Sequence, residues 1–158
     1  MEKKISQLAS PTLSLTGTEL MEMSQDGTSV QITIIQLGNN ISYVDRGDPS
    51  VFDLEEGSMI LDSAWHIWDV SSVVPTGAVA IELVITQVNT IVGKRLEFRK
   101  NGNSNEKNIL GHKQIVSSVT EVWGGKVSCD SNRIIEYFAT GTAGNWTTVQ
   151  VVIRGWYI

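Results

Sequence analysis

The sequence contains few of the residues that build disulfides and metal centres. Among 158 residues there are one cysteine and two histidines. A single cysteine, Cys129, excludes an internal disulfide, and a lone thiol is typical of a protein made in a reducing cytosol. A metal site needs three or four convergent His, Cys or carboxylate groups, and neither His66 nor His112 has a partner at ligand spacing. We therefore expect no bound metal and no cofactor.

A basic patch and a long apolar run are lacking as well. The formal net charge is −5 and the pI is about 5.0, whereas a nucleic acid or an anionic membrane requires basic residues to neutralise its phosphates. No apolar run approaches the length of a membrane span, and no apolar segment follows the charged residues at the start. We expect no nucleic-acid binding, no membrane insertion and synthesis in a cytoplasm.

Catalytic motifs are also lacking. The sequence has no nucleophile elbow, no Walker loop and no dinucleotide-binding fingerprint. The carboxylates of Glu55 and Glu56 are adjacent, so on a strand they project to opposite sides, whereas a glycosidase needs two that face each other across a cleft. We therefore predict that the chain is not an enzyme.

What the sequence does contain is β patterning. Apolar residues alternate with polar ones from residue 78 to 88 and from 146 to 158, and further short strands are predicted at 96–99, 115–122, 127–129 and 134–138. Turn signals separate these runs about every eight to twelve residues, which is typical of a sandwich. The predicted fold is all-β: a C-terminal antiparallel β-sandwich, jelly-roll-like, over residues 59–158.

The first forty residues form a separate predicted unit. Asp26–Gly27 is a strong signal for a two-residue hairpin turn, and a lone hairpin is only marginally stable in water. Residues 1–40 are therefore predicted to be an attachment or oligomerisation segment, and residues 41–58, which are rich in turn formers, a connector. The predicted docking surface consists of apolar residues of this segment: Leu15, Leu20, Met21, Met23, Val30, Ile32 and Ile34.

Aromatic residues provide the remaining candidate sites. Tryptophans are more often buried in cores or interfaces, and the alternative is a carbohydrate-binding module in which rings stack on sugar. The four candidates for glycan or partner contact are Trp65, Trp68, Trp123 and Trp146. The chain ends on Trp156, Tyr157 and Ile158, which we predict to lie inside the sheet or at a subunit interface.

Both ends of the sequence carry motifs that point to one family. Lys4–Leu8, then Leu15–Leu20 (L-T-G-T-E-L), Gln25–Gly27 and Thr33–Leu37 resemble the opening of many tailed-bacteriophage fibre and virion-appendage proteins. The last strands, over 127–137, 146–148 and 154–157, look like those of small β-sandwich domains that close phage fibres. The similarity covers about the first forty and the last thirty residues.

This resemblance implies a structural protein of the virion, made in the host bacterial cytoplasm. It implies a virion-proximal N-terminal segment that docks on the capsid, the portal or the tail, commonly in homotrimers. The chain has no long repetitive shaft, which favours a short head or tail fibre or capsid decoration. Its distal domain would then serve host attachment, with a surface glycan as a further partner.

Overall fold

The computed structural model describes residues 20–25, 28–33 and 42–158. The chain divides into two compact units, Met1–Asn40 and Ile41–Ile158. In the first unit, strand β1 (Leu20–Gln25) pairs antiparallel with β2 (Thr28–Thr33) in a register that runs from Leu20 opposite Thr33 to Gln25 opposite Thr28. The predicted Asp26–Gly27 turn, and the candidate residues Leu15 and Ile34, lie outside the described residues.

The second unit consists of nine strands in two sheets. The strands are β3 (Tyr43–Asp45), β4 (Leu54–Glu55), β5 (Trp65–Asp69), β6 (Ala80–Asn89), β7 (Arg95–Lys100), β8 (Leu110–Lys113), β9 (Glu121–Ser128), β10 (Ile134–Ala139) and β11 (Trp146–Tyr157). One sheet has the order β5-β10-β7-β8 and the other the order β3-β11-β6-β9, with β4 also paired to β11. Every pairing is antiparallel. The predicted all-β antiparallel class is confirmed.

The two sheets pack on one hydrophobic core. Leu83 and Ile85 of β6 and Ile153 of β11 come from the five-stranded sheet, and Phe98 of β7 and Ile135 of β10 from the other; all five are fully buried. Successive side chains of a strand point to opposite faces, so every second residue of the central strands enters this core. Burial of apolar side chains at about 25 cal/mol per Å² is therefore the main source of stability in the second unit.

Ser42 and Ile158 lie at one end of the second unit, and three loops lie at the other. Ser42 exchanges two backbone hydrogen bonds with Ile158, at 2.9 and 3.1 Å, so the first described residue of the unit and the last residue of the chain lie together. Along the β6–β11 pair, Ala80 opposes Tyr157 at this terminal end and Asn89 opposes Trp146 at the other. The loops 90–94, 114–120 and 140–145 lie at that opposite end, which we call the apical end.

Residues 41–58 differ from the predicted connector. They belong to the second unit. There β3 pairs with residues 155–157 of β11, and β4 pairs with residues 150–151 along the same edge of that strand. Strands of three and two residues are too short to show an alternating pattern, so turn-forming residues dominated the sequence signal. The second unit therefore begins before residue 59, and these two strands complete its larger sheet.

The last strand also differs from its predicted alternation. A register shift between Ile153 and Gly155 reverses the faces of the residues beyond it. Trp156 thus packs against the core, although simple alternation would place it on the outer face. Tyr157 is on the outer face, where its hydroxyl lies 3.2 Å from a carboxylate oxygen of Glu82. Of the three predicted interface residues, Tyr157 and Ile158 remain available at the surface.

None of the helices in the described part of the chain is long and apolar enough to span a bilayer.

Candidate functional site

Three of the four candidate tryptophans contribute to the interior. Trp146 is only 3% exposed, and its indole N–H donates to the carbonyl oxygen of Thr140 at 3.2 Å. Trp68 and Trp123 are partly buried against the core, where they flank Phe98 with ring centroids at 6.3 and 6.2 Å. These three tryptophans are therefore accounted for by packing in the core.

Trp65 is placed differently, on the outer face of the four-stranded sheet. The Arg99 guanidinium carbon lies 3.9 Å from the centroid of its ring, and Arg99 Nε donates to Glu136 Oε2 at 2.5 Å. Phe138 lies beside Trp65, with ring centroids 5.3 Å apart. The Arg99 guanidinium therefore covers one face of the indole, and its ion pair with Glu136 holds it there.

A shallow pocket of about 270 Å³ lies on the same outer face. Glu97 lies in it, 3.0 Å from Arg95 and packed over Gly111, where an added Cβ would come within 2.8 Å of Glu97 Cγ. Burial raises the pKa of Glu97, although the adjacent Arg95 opposes this shift. In the part of the chain that the structure describes, no group of three or more His, Cys, Asp or Glu residues converges as metal ligands would.

The apical end has a more organised arrangement, built on buried amides. Gln114 is fully buried, and its amide nitrogen donates to the carbonyl oxygens of Val116 and Val119 at 2.7 and 2.8 Å. Its amide oxygen accepts from the backbone N–H of Asn89 at 3.1 Å. Since buried polar groups are costly unless they are bonded, these contacts fix the course of the loop 114–120 and join it to the end of β6.

Glu121 holds the same loop from its other side. One carboxylate oxygen accepts from the backbone N–H groups of Ile115 and Val116 at 2.8 and 3.2 Å, and the other lies 2.8 Å from His112 Nε2. Burial by itself raises the pKa of Glu121, but the bonds from Ile115, Val116 and His112 outweigh it, so the pKa lies below its ordinary value. The folded loop therefore favours the ionised carboxylate.

Replacing Glu121 with glutamine should lower the free energy of unfolding at pH 7 by about 1–3 kcal/mol, because the charge-assisted bonds to the loop are lost. The folded-state pKa of Glu121 is depressed, so the stabilisation is present above the unfolded value near 4.5 and is lost as the pH falls through the folded value. Urea unfolding at several pH values should show the two proteins converging below about pH 4.5. Glu106→Gln, at an exposed position, is the control; an equal loss in that variant would contradict the role of Glu121.

The fixed loops present aliphatic side chains to solvent. Exposed fractions run from 42% to 68% for six residues that form what we call the apical patch: Ile91, Val92, Ile115, Val116, Val119 and Val122. Backbone hydrogen bonds join the two loops, from Gly93 N–H to Gln114 O at 2.8 Å and from Ser118 N–H to Asn89 O at 2.9 Å. These bonds fix the course of the two loops relative to each other.

Sequence reasoning missed this arrangement, although part of its signal was present. Gln87 and Asn89 continue the inward series of β6 after Leu83 and Ile85, and a polar residue at an inward position indicates a buried hydrogen-bond network. His112, which has no partner at ligand spacing in the sequence, lies on β8 and contacts Glu121. The contact of His112 with Glu121, nine positions later, requires the turn between β8 and β9 to bring the two side chains together. The sequence alone does not specify the course of that turn.

No protein-family model matches the chain, and no curated protein matches it either.

Proposed function

We propose that the chain is a structural component of a phage virion, a short head or tail fibre that docks by residues 1–40 and displays its second unit. Two observations support this proposal. The N-terminal and C-terminal motifs resemble those of phage fibre proteins. The second unit also has its own core, whose described buried residues lie between Leu54 and Ile153.

The position at which the chain enters the second unit is the observation that carries the proposal. Ser42 and Ile158 share hydrogen bonds at the terminal end, and the apical loops lie at the other end of the same strands. A domain that is entered at one end and exposes fixed apolar loops at the opposite end is suited to attachment through its N-terminal segment and to contact through its apical end.

For the second unit we further propose a jelly-roll sandwich. The orders β4-β11-β6-β9 and β5-β10-β7-β8 are those of two four-stranded sheets connected as in a jelly roll, with β3 extending the edge beside β4. Jelly rolls occur in viral capsid proteins and in lectins, so this fold is compatible with the proposal without deciding the function.

Docking is assigned to the first unit. The register of β1 and β2 places Met21 opposite Ile32 and Met23 opposite Val30, so apolar positions are paired along the hairpin. Leu20 completes the part of the predicted docking surface that the structure describes. A hairpin of this size is marginal alone, which favours a role in contact with the capsid, the portal or the tail, or with two further copies in a homotrimer.

Carbohydrate binding is the alternative, and it now depends on one tryptophan. Of the four candidates, Trp65 is on an outer sheet face, beside Phe138, Arg99 and Glu136. This surface combines rings with charged hydrogen-bonding groups, as a sugar site requires. Arg99 already stacks on the indole, so a sugar would need the other face of the ring or would have to displace the guanidinium. We therefore rank this function second.

Deletion of residues 1–40 tests the docking role. The truncated chain should keep the cooperative unfolding and the thermal midpoint of the second unit, because the described core lies within it. It should no longer be recovered with purified phage particles, whereas the full chain expressed at the same level should be. Recovery of the truncated chain at the full-length level would contradict docking through the N-terminal segment.

A further inference from the structure

Asn101 and Gly102 form a turn directly after β7 that the proposed function does not use. The backbone N–H of Asn103 donates to the carbonyl oxygen of Lys100 at 3.1 Å, and Gly102 has a φ of +81°. Glycine tolerates this left-handed backbone without strain, which accounts for its position in the turn. Asn101 is also the only asparagine of the sequence that a glycine follows, and this pair has a chemistry of its own.

The Asn101 side chain joins this turn to the turn after β9. Its amide nitrogen donates to Asp130 Oδ2 at 2.9 Å, and Asp130 Oδ1 accepts from the backbone N–H groups of Asn132 and Ile134 at 2.9 and 2.8 Å. The bond from Asn101 is the largest of the causes that hold the pKa of Asp130 below its ordinary value. The ionised Asp130 carboxylate is therefore the group through which the two turns are connected.

The peptide nitrogen of Gly102 is open to reaction with the side chain that precedes it. Gly102 is exposed, and no atom lies within 4 Å of the position that a Cβ would occupy on it. None of the hydrogen bonds among the described residues uses its N–H. A glycine nitrogen has no side chain to hinder its approach to a carbonyl carbon. The nitrogen is therefore free to attack Cγ of Asn101.

We propose that Asn101 is a self-modification site, at which the side-chain amide is lost by deamidation without an enzyme. The Gly102 nitrogen loses its proton and bonds to Asn101 Cγ, the Cγ–Nδ2 bond breaks, and Nδ2 leaves as ammonia with that proton. Water then opens the resulting five-membered imide at either of its C–N bonds, which gives aspartate or isoaspartate. The sum is asparagine plus water to an acidic residue plus ammonia, and nothing is oxidised or reduced.

The modification reverses the interaction between the two turns. The Asn101 amide donates to the Asp130 carboxylate, whereas the product is a second carboxylate that can only accept. Two like charges at this separation repel, so the side chain at position 101 has to turn away from Asp130. Isoaspartate also lengthens the main chain by one carbon within the turn. Deamidation therefore releases the turn after β7 from the turn after β9.

The reaction is tested on the full chain without any substitution. The protein is incubated in mildly alkaline and in mildly acidic buffer, then cleaved after glutamate to release residues 98–106. Mass spectrometry should locate a gain of about 1 Da at Asn101, which grows with time and grows faster in alkali, because loss of the Gly102 proton is required. Asn103 and Asn105 of the same peptide are internal controls, since serine and glutamate follow them. No gain at Asn101, or an equal gain at all three, would overturn the proposal.

The structural consequence is tested with a variant that carries the product. Asn101→Asp should lower the thermal midpoint by at least about 4 °C, because a charge-assisted bond is lost and like charges meet. Asn103→Asp makes the same change two residues later, where the side chain has no hydrogen bond within the part of the chain that the structure describes, and should stay within about 2 °C of the unchanged chain. Equal midpoints for the two variants would overturn the assigned link to Asp130. Both tests use the isolated chain, so a failure of the proposed function is separately detectable.

Discussion

Replacing Phe98 with alanine should lower the free energy of unfolding by about 3–5 kcal/mol. Phe98 is fully buried in β7 of the four-stranded sheet. Its ring lies between Trp68 of the same sheet and Trp123 of the facing sheet, with centroids 6.3 and 6.2 Å away. Truncation removes the aromatic contacts that join the two sheets and leaves a cavity between rigid rings that cannot collapse easily.

Phe138 is the matched control, because it is a phenylalanine on the neighbouring strand β10 but faces outward beside Trp65. Phe138→Ala should cost about 1 kcal/mol, since a partly exposed ring loses less burial. Urea unfolding monitored by circular dichroism measures both variants. Equal losses in the two would contradict the assignment of Phe98 to the shared core.

Replacing Asp53 with alanine should cost a similar amount, about 3–5 kcal/mol, through electrostatics rather than packing. The Asp53 carboxylate is 6% exposed; it pairs with Arg46 and accepts from the backbone N–H of Ile153 at 2.8 Å. Arg46 also donates to the carbonyl oxygen of Ile153 at 3.2 Å. Loss of Asp53 leaves a largely buried guanidinium without its counter-charge and removes the side-chain bond that the segment between β3 and β4 makes to Ile153 of β11.

Asp48→Ala, five residues earlier in the same segment, makes the same chemical change at an exposed position. It should change stability by no more than about 0.5 kcal/mol. Thermal and urea unfolding of the two variants therefore separate a specific anchor from a general effect of charge in this segment. A small effect of Asp53→Ala would mean that residues 46–53 contribute little to the sheet, as an independent connector would.

Alternation predicted the central strands well, for a physical reason. Ile81, Leu83 and Ile85 lie on a strand paired on both sides, where burial of one face imposes a strict period of two. The same reasoning failed where the backbone departs from that period. The shift at Ile153–Gly155 inverted the assignment of Trp156, and the strands in residues 43–55 were too short to produce a pattern.

The apical patch shows a different limit of sequence reasoning. Residues 115–122 were predicted to be a strand because their valines and isoleucine have high β propensity. In the structure most of this segment is a loop, and β9 begins at Glu121. What determines the loop is the set of hydrogen bonds from Gln114 and Glu121, which depends on contacts with β6 and β8. Composition alone cannot distinguish exposed aliphatic residues of this kind from core residues.

The proposed role of the chain as a virion component is tested most directly by its copy number in purified phage particles. Mass spectrometry of density-purified particles, with peptides from residues 42–158 quantified against the major capsid protein, measures this number. The account predicts a fixed number of copies per particle, a multiple of three for a homotrimer, that survives a high-salt wash. A chain that is abundant in the infected cell but missing from the purified particles would contradict it.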